Sequence, residues 1–124
     1  SGLLRQNAHQ ALEIYQDAIR LLLEESPDTA KLAYTRMQVN QAHNKLFTSL
    51  NQAMQEPGFN SHYLADMRLW VTHSQFVVEH INAMTILARE HYMLPEKLAT
   101  EYLQTGRAAR TTCLLRRNFT RICH

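Results

Sequence analysis

Residues 61–92 read SHYLADMRLWVTHSQFVVEHINAMTILAREHY and contain the only tryptophan of the chain, Trp70. Asn60 and Ser61 are residue types that cap helix N-termini, and neither proline nor glycine interrupts the segment. Apolar and small residues recur at spacings of three and four, which predicts a helix. The main row is Leu64, Met67, Val71, Ser74, Val78, Ile81, Thr85 and Ala88, and two further rows are Trp70–Val77–Met84 and Leu69–Phe76–Ala83. Because apolar rows lie on most sides, we expect this helix to be buried on most sides.

The length and polarity of this helix indicate its setting. At about 1.5 Å per residue it would be roughly 45–50 Å long, which suits an elongated bundle. A membrane span needs about 20 nearly uncharged residues. This segment instead contains Asp66, Arg68, Glu79, Arg89 and Glu90. We therefore expect a helix packed among other helices and not a helix in a bilayer.

Two helices are predicted before this segment. The first runs from about Leu3 to Glu25, and Ser26-Pro27 ends it because the residue before proline is driven out of the helical region. The second follows Asp28, a good N-cap, and ends near Gln55. The apolar face of the first is Leu4, Ala8, Ala11, Tyr15, Ala18 and Leu22, widened by Leu12, Ile19 and Leu23. That of the second is Leu32, Val39, Ala42, Leu46, Leu50 and Ala53, joined by Met37, Phe47 and Met54.

A fourth helix is predicted from Pro95 to about Arg117. The residues expected on its packed face are Leu98, Tyr102, Thr105, Ala109, Cys113 and Arg116. Short breaks between four helices predict an all-α fold, an elongated antiparallel up-down four-helix bundle. The few glycines and prolines and the absence of alternating apolar and polar runs agree with this class.

Charge divides the chain after Gly106. Residues 107–124 contain five arginines and no acid, whereas the other residues contain eight basic and eleven acidic side chains. We therefore assign residues 1–106 to the helical bundle and residues 107–124 to a basic C-terminal extension. Three interpretations of that extension stay open: a frayed end of the last helix, a packed extension, or residues foreign to the natural domain.

The two cysteines and the first residues indicate the context of the chain. Cys113 and Cys123 would lie about 15 Å apart on one helix, too far for a disulfide. A reducing compartment is therefore expected. The chain starts with Ser1-Gly2 and enters a helical pattern at once, which is typical of a domain cut from a longer protein.

One polar row is a candidate metal site. His9, Glu13 and Asp17 recur one helical turn apart, as a divalent ion would require, and His62 and Asp66 form a similar pair. The alternative, which we favour, is a solvated polar stripe. Glu-x-x-His occurs nowhere, which argues against a di-iron bundle. No metal and no cofactor is expected.

Four other residues are candidate ligand contacts. His73 and His80 are seven residues apart on the long helix, either as hydrogen-bonded core histidines or as a pair that senses pH or contacts a ligand. Arg36 with Asn40 suits the carboxylate of an organic anion. Alternatively, Arg36 makes an ion pair within the bundle, with a carboxylate such as Glu79 or Glu90.

Neither catalysis nor nucleic-acid recognition is indicated. The sequence contains no nucleophile motif of the Gly-x-Ser-x-Gly type and no glycine-rich phosphate loop, so we expect no enzyme. Arginines after Gly106 suit phosphates or an anionic membrane surface. Specific nucleic-acid binding would need a basic face on the folded body, which carries a net negative charge.

A family resemblance adds to this interpretation. The run RMQVNQAHN at residues 36–44, followed by Leu46, Leu50, Met54 and Glu56-Pro57, resembles the C-terminal soluble region of the YccS/FUSC (fusaric acid resistance-like) inner-membrane proteins. In that family an Arg/Asn/Ala-studded helix ends in Glu-Pro and precedes a long helix with scattered histidines. The resemblance covers roughly residues 3–102, and the basic segment after Gly106 departs from it.

The resemblance implies a cytoplasmic domain that follows the membrane block of a multi-pass bacterial efflux transporter of small organic acids. Such a domain would oligomerise, or dock on the transmembrane part of its parent, through exposed parts of the first two helices. A different class remains open: a free-standing adaptor module for a small ligand or a partner helix. A pocket lined by His73, Trp70 and Arg36 would favour that alternative.

Overall fold

A computed structural model describes the backbone of residues 2–58, 61–90 and 95–123. Within these ranges the chain forms four helices. They are α1 (Gly2–Leu22), α2 (Thr29–Gln55), α3 (Ser61–Glu90) and α4 (Pro95–Cys123). Side chains are described for residues 2–58, 62–88 and 105–123. The predicted all-α four-helix bundle is confirmed. The cap expected at Asn60 and the end of the third helix expected near Tyr92 lie outside the described residues.

The helix α1 ends at Leu22 and not near Glu25 as predicted. The amide of Leu23 donates to the carbonyl of Ile19 at 3.1 Å and to that of Arg20 at 3.3 Å. The second of these bonds spans three residues, which tightens the last turn. Glu24 and Glu25 follow, and acidic side chains at a helix C-terminus oppose the helix dipole. The helix therefore stops before the acidic pair.

Both ends of α2 lie where the sequence predicts them. The carboxylate of Asp28 accepts hydrogen bonds from the amides of Ala30 at 2.8 Å and Lys31 at 3.4 Å, as an N-cap does. Glu56, which precedes proline, has φ −73° and ψ 130°. This extended conformation is the one that a following proline imposes, and it ends the helix. Gly58 then adopts φ 77°, a left-handed conformation that suits glycine.

The helices pack in chain order around a shared core. Each helix contacts its neighbours in the sequence, α4 returns to α1, and α1 also contacts α3 across the bundle. The main rows predicted for the first two helices are buried, as are Leu12 and Ile19, and Leu22 is partly buried. The prediction is wrong for Leu23, Met37, Phe47 and Met54, which are exposed because they are turned away from the buried rows. The small side chains of Ala8, Ala11 and Ala18 are fully buried and let α1 pack closely against its neighbours.

The expectation that α3 is buried on most sides is wrong for one of its rows. Trp70, Val77 and Met84 are buried, as is most of the main row. Leu69 and Phe76 instead keep 60% and 54% of their surface exposed. Three neighbouring helices cover only part of the circumference of α3, and the remaining apolar row faces outward.

The helix α4 continues without a break through Gly106 to Cys123. Residues 107–123 therefore form a packed part of this helix, as one of the three interpretations of the basic segment expects. Among the described side chains of this helix, 105–123, the buried ones are Thr105, Ala108, Thr112, Leu115 and Phe119. The predicted face is confirmed at Thr105, which is buried, and Ala109 is partly buried against the core. It is wrong at Cys113 and Arg116, which are exposed, and Leu98 and Tyr102 lie outside the described side chains. Burial of Leu115 and Phe119 against Trp70 sets the rotation of the helix.

No helix within the described ranges contains a stretch that is both long and apolar enough to cross a bilayer.

Candidate functional site

A groove on the outer surface, between α3 and α4, has a mostly apolar lining. It has a volume of about 180 Å³, and Trp70, Leu115 and Ile122 contribute to its floor. Leu69 and Leu114 rise from its two sides, and both side chains are more than half exposed. Asp66, His73, Asn118 and Arg121 add polar groups to the lining. The groove therefore combines an apolar floor with charges of both signs at its edge.

Trp70 fixes the floor of the groove. Its indole Nε1 donates a hydrogen bond to the backbone carbonyl of Leu115 at 2.8 Å. Its ring lies 5.6 Å from the ring of Phe119, at an interplanar angle of 48°. This tilted geometry is favourable for two aromatic rings. Because the indole is only 2% exposed and is held by both contacts, α3 and α4 are locked together beneath the groove.

The two candidate histidines of α3 lie at the outer surface and not in the core. His73 is exposed, lines the groove, and lies 6.5 Å from the ring of Phe76. His80 is partly buried, with Nδ1 2.6 Å from the carbonyl oxygen of Phe76 one turn earlier. The core-histidine interpretation is therefore wrong for His73. Both histidines instead belong to the outward row of the helix.

Arg36 and Asn40 lie at a different place, between α2 and α3. The amide of Asn40 donates to the side-chain oxygen of Asn82 at 3.0 Å, and the amide of Asn82 donates back to Asn40 at 2.9 Å. Asn40 also donates to the carbonyl of Arg36 at 2.8 Å. Both carboxamides are thus engaged in holding two helices together, which leaves Asn40 little capacity to contact an anion.

The expected ion pair of Arg36 is not among the contacts of the described side chains. Its Nε is buried without a hydrogen-bond partner there. Glu79 accepts a hydrogen bond from Gln75 at 3.4 Å, and the side chain of Glu90 lies outside the described residues. The predicted pocket of His73, Trp70 and Arg36 is therefore brought together only in part: His73 and Trp70 share the groove, and Arg36 belongs to α2.

The sequence analysis missed a polar cluster inside the bundle. The hydroxyl of Tyr15 lies 3.3 Å from Nδ1 of His43 and also interacts with Ser74. Tyr15 is fully buried, and burial raises the pKa of its hydroxyl. Burial lowers the pKa of His43, while the charge of Glu79 acts in the opposite direction. The signal was present in the sequence, because His43 lies within the spacing of Val39, Leu46 and Leu50.

The polar row on α1 makes ion pairs and does not converge on a metal. Glu13 lies 2.6 Å from the guanidinium of Arg116, which also bonds Gln16. The hydrogen bond from Arg116 to Glu13 lowers the pKa of the Glu13 carboxyl. Asp17 pairs with Arg20 at 3.1 Å, and the ring of His9 faces Phe119. Among the residues with described side chains, no group of three or more His, Cys, Asp or Glu is placed to hold a metal ion.

Comparison with known proteins gives one strong similarity. The chain is 71% identical over 113 residues to the uncharacterized protein YhfK of Escherichia coli (strain K12), a match that covers 91% of this chain and 16% of that protein. Because 113 residues are more than residues 1–106 provide, the similarity extends into the basic part of α4. No protein-family model and no solved structure matches the chain.

Proposed function

We propose that this bundle is a cytoplasmic, non-catalytic domain of a multi-pass FUSC-type inner-membrane efflux protein, in which it serves oligomerisation or regulation. The observation that carries the proposal is one of proportion. Four helices close a core of their own, yet the similar stretch makes up only 16% of YhfK. A compact unit within a much longer chain is the usual form of an accessory domain.

The resemblance of residues 36–44 and Glu56-Pro57 to the YccS/FUSC proteins supports a membrane-bound parent. The structure gives this run a physical role, since Asn40 joins α2 to α3 and Glu56-Pro57 ends α2. The parent would export small organic acids, and the bundle would act through contacts with other protein surfaces. Exposed apolar residues on α2, α3 and α4, such as Phe47, Phe76 and Leu114, are available for such contacts.

Membrane fractionation of the full-length protein that contains this sequence tests its location. An epitope inserted after Glu25, in the exposed connection between α1 and α2, reports on which side of the membrane the bundle lies. We expect the protein to sediment with membranes and to resist extraction at alkaline pH. The epitope should be protected from protease in spheroplasts and cleaved in inverted vesicles. Recovery in the soluble fraction, or cleavage in spheroplasts, contradicts the proposal.

The groove favours a second candidate, a binding module for a small ligand. Its volume of about 180 Å³ suits a single aromatic ring with a short polar substituent, and Arg121 offers a guanidinium for an anionic group. A panel of aromatic carboxylates in a thermal-shift assay tests this function. Binding requires a rise in melting temperature that Leu114→Glu removes, with Phe47→Glu as the control on another helix.

A further inference from the structure

The outward row of α3 follows a heptad spacing. Leu69, His73, Phe76, His80, Ala83 and Leu87 recur at alternating steps of four and three residues. This is the spacing with which two helices pack along a common seam. Leu69, His73, Phe76 and Ala83 are exposed, and His80 and Leu87 are partly covered. We call these six residues the outer seam.

The edge of the outer seam next to α4 is basic. Arg107, Leu114 and Arg121 are seven residues apart and therefore lie in one line along α4. Leu114 is 53% exposed and shares the groove with Leu69. Arg107 and Arg121 are exposed, and no ion pair among the described side chains involves either of them. Asp66 also lines the groove, so this edge has two arginines and one carboxylate, and a surface that covers the seam meets a net positive charge there.

The opposite edge carries a negative charge at Glu79 and, eleven residues earlier on the same side of α3, a positive charge at Arg68. Glu79 is exposed and, by helical spacing, lies on the side of the seam that faces away from α4. Its height relative to α4 follows from the bond between Trp70 and Leu115. Because α4 runs antiparallel to α3, moving nine residues forward from Trp70 corresponds to moving about nine back from Leu115. Glu79 is therefore level with Arg107, on the other edge of the seam.

We propose that a second copy of this chain covers the outer seam, with the two α3 helices parallel about a two-fold axis. In this arrangement equivalent residues meet, so Phe76 packs against Phe76 of the partner subunit. Each α4 edge meets the opposite edge of the other copy, which sets Glu79 opposite Arg107 of the partner subunit. An antiparallel pair would instead bring the two α4 edges together, with the arginines of one copy against those of the other, and such contacts are unfavourable.

The size of the face indicates a modest affinity. From Leu69 to Leu87 the seam is about 27 Å long, and the face formed by α3 together with the exposed edge of α4 is about 20 Å wide. Its projected area is thus on the order of 500 Å², below the ~800 Å² that each partner buries in a standard interface. Histidines at two seam positions reduce stability and fix the register, as polar residues do in coiled coils. A reversible dimer is therefore expected, and not an obligate one.

This pairing rests on the oligomerising role in the proposed function and gives that role a surface, on α3 and not on the first two helices. It does not depend on a membrane-bound parent. Fractionation of the full-length protein decides the location, and the association of the chain decides the pairing, so either can fail while the other stands.

Sedimentation velocity of the 124-residue chain in reducing buffer, from about 1 to about 200 μM, tests the pairing. We expect a monomer at the low end and a dimer at the high end. Phe76→Glu should weaken association by at least about tenfold, as loss of a central anchor does. Phe47→Glu on α2, a side chain of similar exposure, should leave association unchanged. Both variants should keep the helical circular dichroism and melting temperature of the parent chain.

Charge exchange tests the parallel arrangement. Glu79→Arg and Arg107→Glu should each weaken the dimer, and the double variant should restore it. A chain that stays monomeric throughout, or equal effects of Phe76→Glu and Phe47→Glu, overturns the pairing. A double variant no better than the single variants, where Phe76→Glu still dissociates the dimer, overturns the parallel register. If the chain stays monomeric, and the nuclear magnetic resonance signals of the outer-seam residues shift only when an aromatic carboxylate is added, the surface is assigned to a small ligand instead.

Discussion

The inner and outer rows of α3 differ in burial although they are similarly apolar. Trp70, Val77 and Met84 are covered by the bundle, while Leu69 and Phe76, one residue before the first two of them, face outward. A step of one residue turns a side chain by about 100°, which is enough to pass from the core to the surface. The difference teaches that apolar periodicity identifies the faces that can be buried, and the number of neighbouring helices decides which of them are.

The two sides of α3 also differ in how they are closed. Towards α2, the reciprocal hydrogen bonds of Asn40 and Asn82 bridge the helices with satisfied polar groups. Towards α4, the contact beneath the surface is aromatic, and above it the groove stays open between Leu69 and Leu114. A satisfied polar bridge needs no further partner, whereas exposed apolar side chains gain free energy when another surface covers them.

The largest expected effect separates the two rows directly. Trp70→Ala removes a buried indole, its contact with Phe119 and its bond to Leu115, so the free energy of unfolding should fall by about 3–5 kcal/mol. Leu69→Ala, on the exposed row, should change it by no more than about 0.5 kcal/mol. Urea unfolding followed by circular dichroism at low protein concentration gives both values. Equal losses would mean that the outer row is part of the core.

A smaller effect is expected on the α2 side. Asn82→Ala removes both hydrogen bonds between the two carboxamides and leaves the side-chain oxygen of Asn40 without its donor, so the free energy of unfolding should fall by about 1–2 kcal/mol. In a double-mutant cycle with Asn40→Ala, the second substitution should cost less than the first, because the pair is lost only once. Additive losses would show that the two amides act independently. Gln41→Ala, on the exposed surface of the same helix, is the control.

Much of the fold was predictable because its local signals agree with each other. The cap at Asp28 and the break at Glu56-Pro57 involve residues a few positions apart, and the structure confirms both. The main apolar rows of the first two helices were likewise predicted, but not that Met37, Phe47 and Met54 beside them stay exposed. The face of α4 was not, because its small and polar residues mark no clear row. Its rotation is set by Leu115 and Phe119, which meet Trp70 some 45 residues earlier in the chain.

The candidate site was less predictable because burial depends on neighbours that a sequence does not specify. Spacing indicated correctly that His73 and His80 share a face of α3, but not that this face is outward. Arg36 and His73 are on adjacent helices, yet their helices turn them to different sides. His43 was overlooked since it appeared only within the family motif, and its contact with Tyr15 joins residues on two helices.

Two glycines, Gly106 in α4 and Gly58 after the end of α2, offer a more modest test. Gly106 lies inside the helix, and a Cβ added there would meet nothing within 4 Å apart from its own stretch of helix backbone and its chain neighbours, so Gly106→Ala should stabilise the protein by about 0.5–1 kcal/mol. Gly58→Ala should destabilise it, because φ is 77° there. Thermal unfolding of both variants measures the difference. Stabilisation should leave dimerisation unchanged, since Gly106 is not in the outer seam.

The smallest effect concerns the pH dependence of stability that arises from His43, which is partly buried beside Tyr15. The pKa of His43 is lowered in the folded protein, so the unfolded chain binds its proton more readily. Stability from this group is therefore complete above the ordinary histidine pKa, near 6.5, and is lost progressively as the pH falls below it. Burial outweighs Glu79, whose charge favours the protonated ring, and this opposition keeps the slope shallow.

Melting temperatures between about pH 7.5 and about pH 5.5 separate the titration of histidines from that of carboxylates, which stay ionised above their ordinary pKa near 4. Acidification should lower the melting temperature of the parent chain. His43→Gln, whose amide can still accept from Tyr15, should flatten that dependence, while His73→Gln on the outer seam should preserve it. If His73→Gln alone flattened the curve, the titrating group that couples to folding would lie at the outer surface, and the contrast between a closed interior and an open seam would have to be reversed.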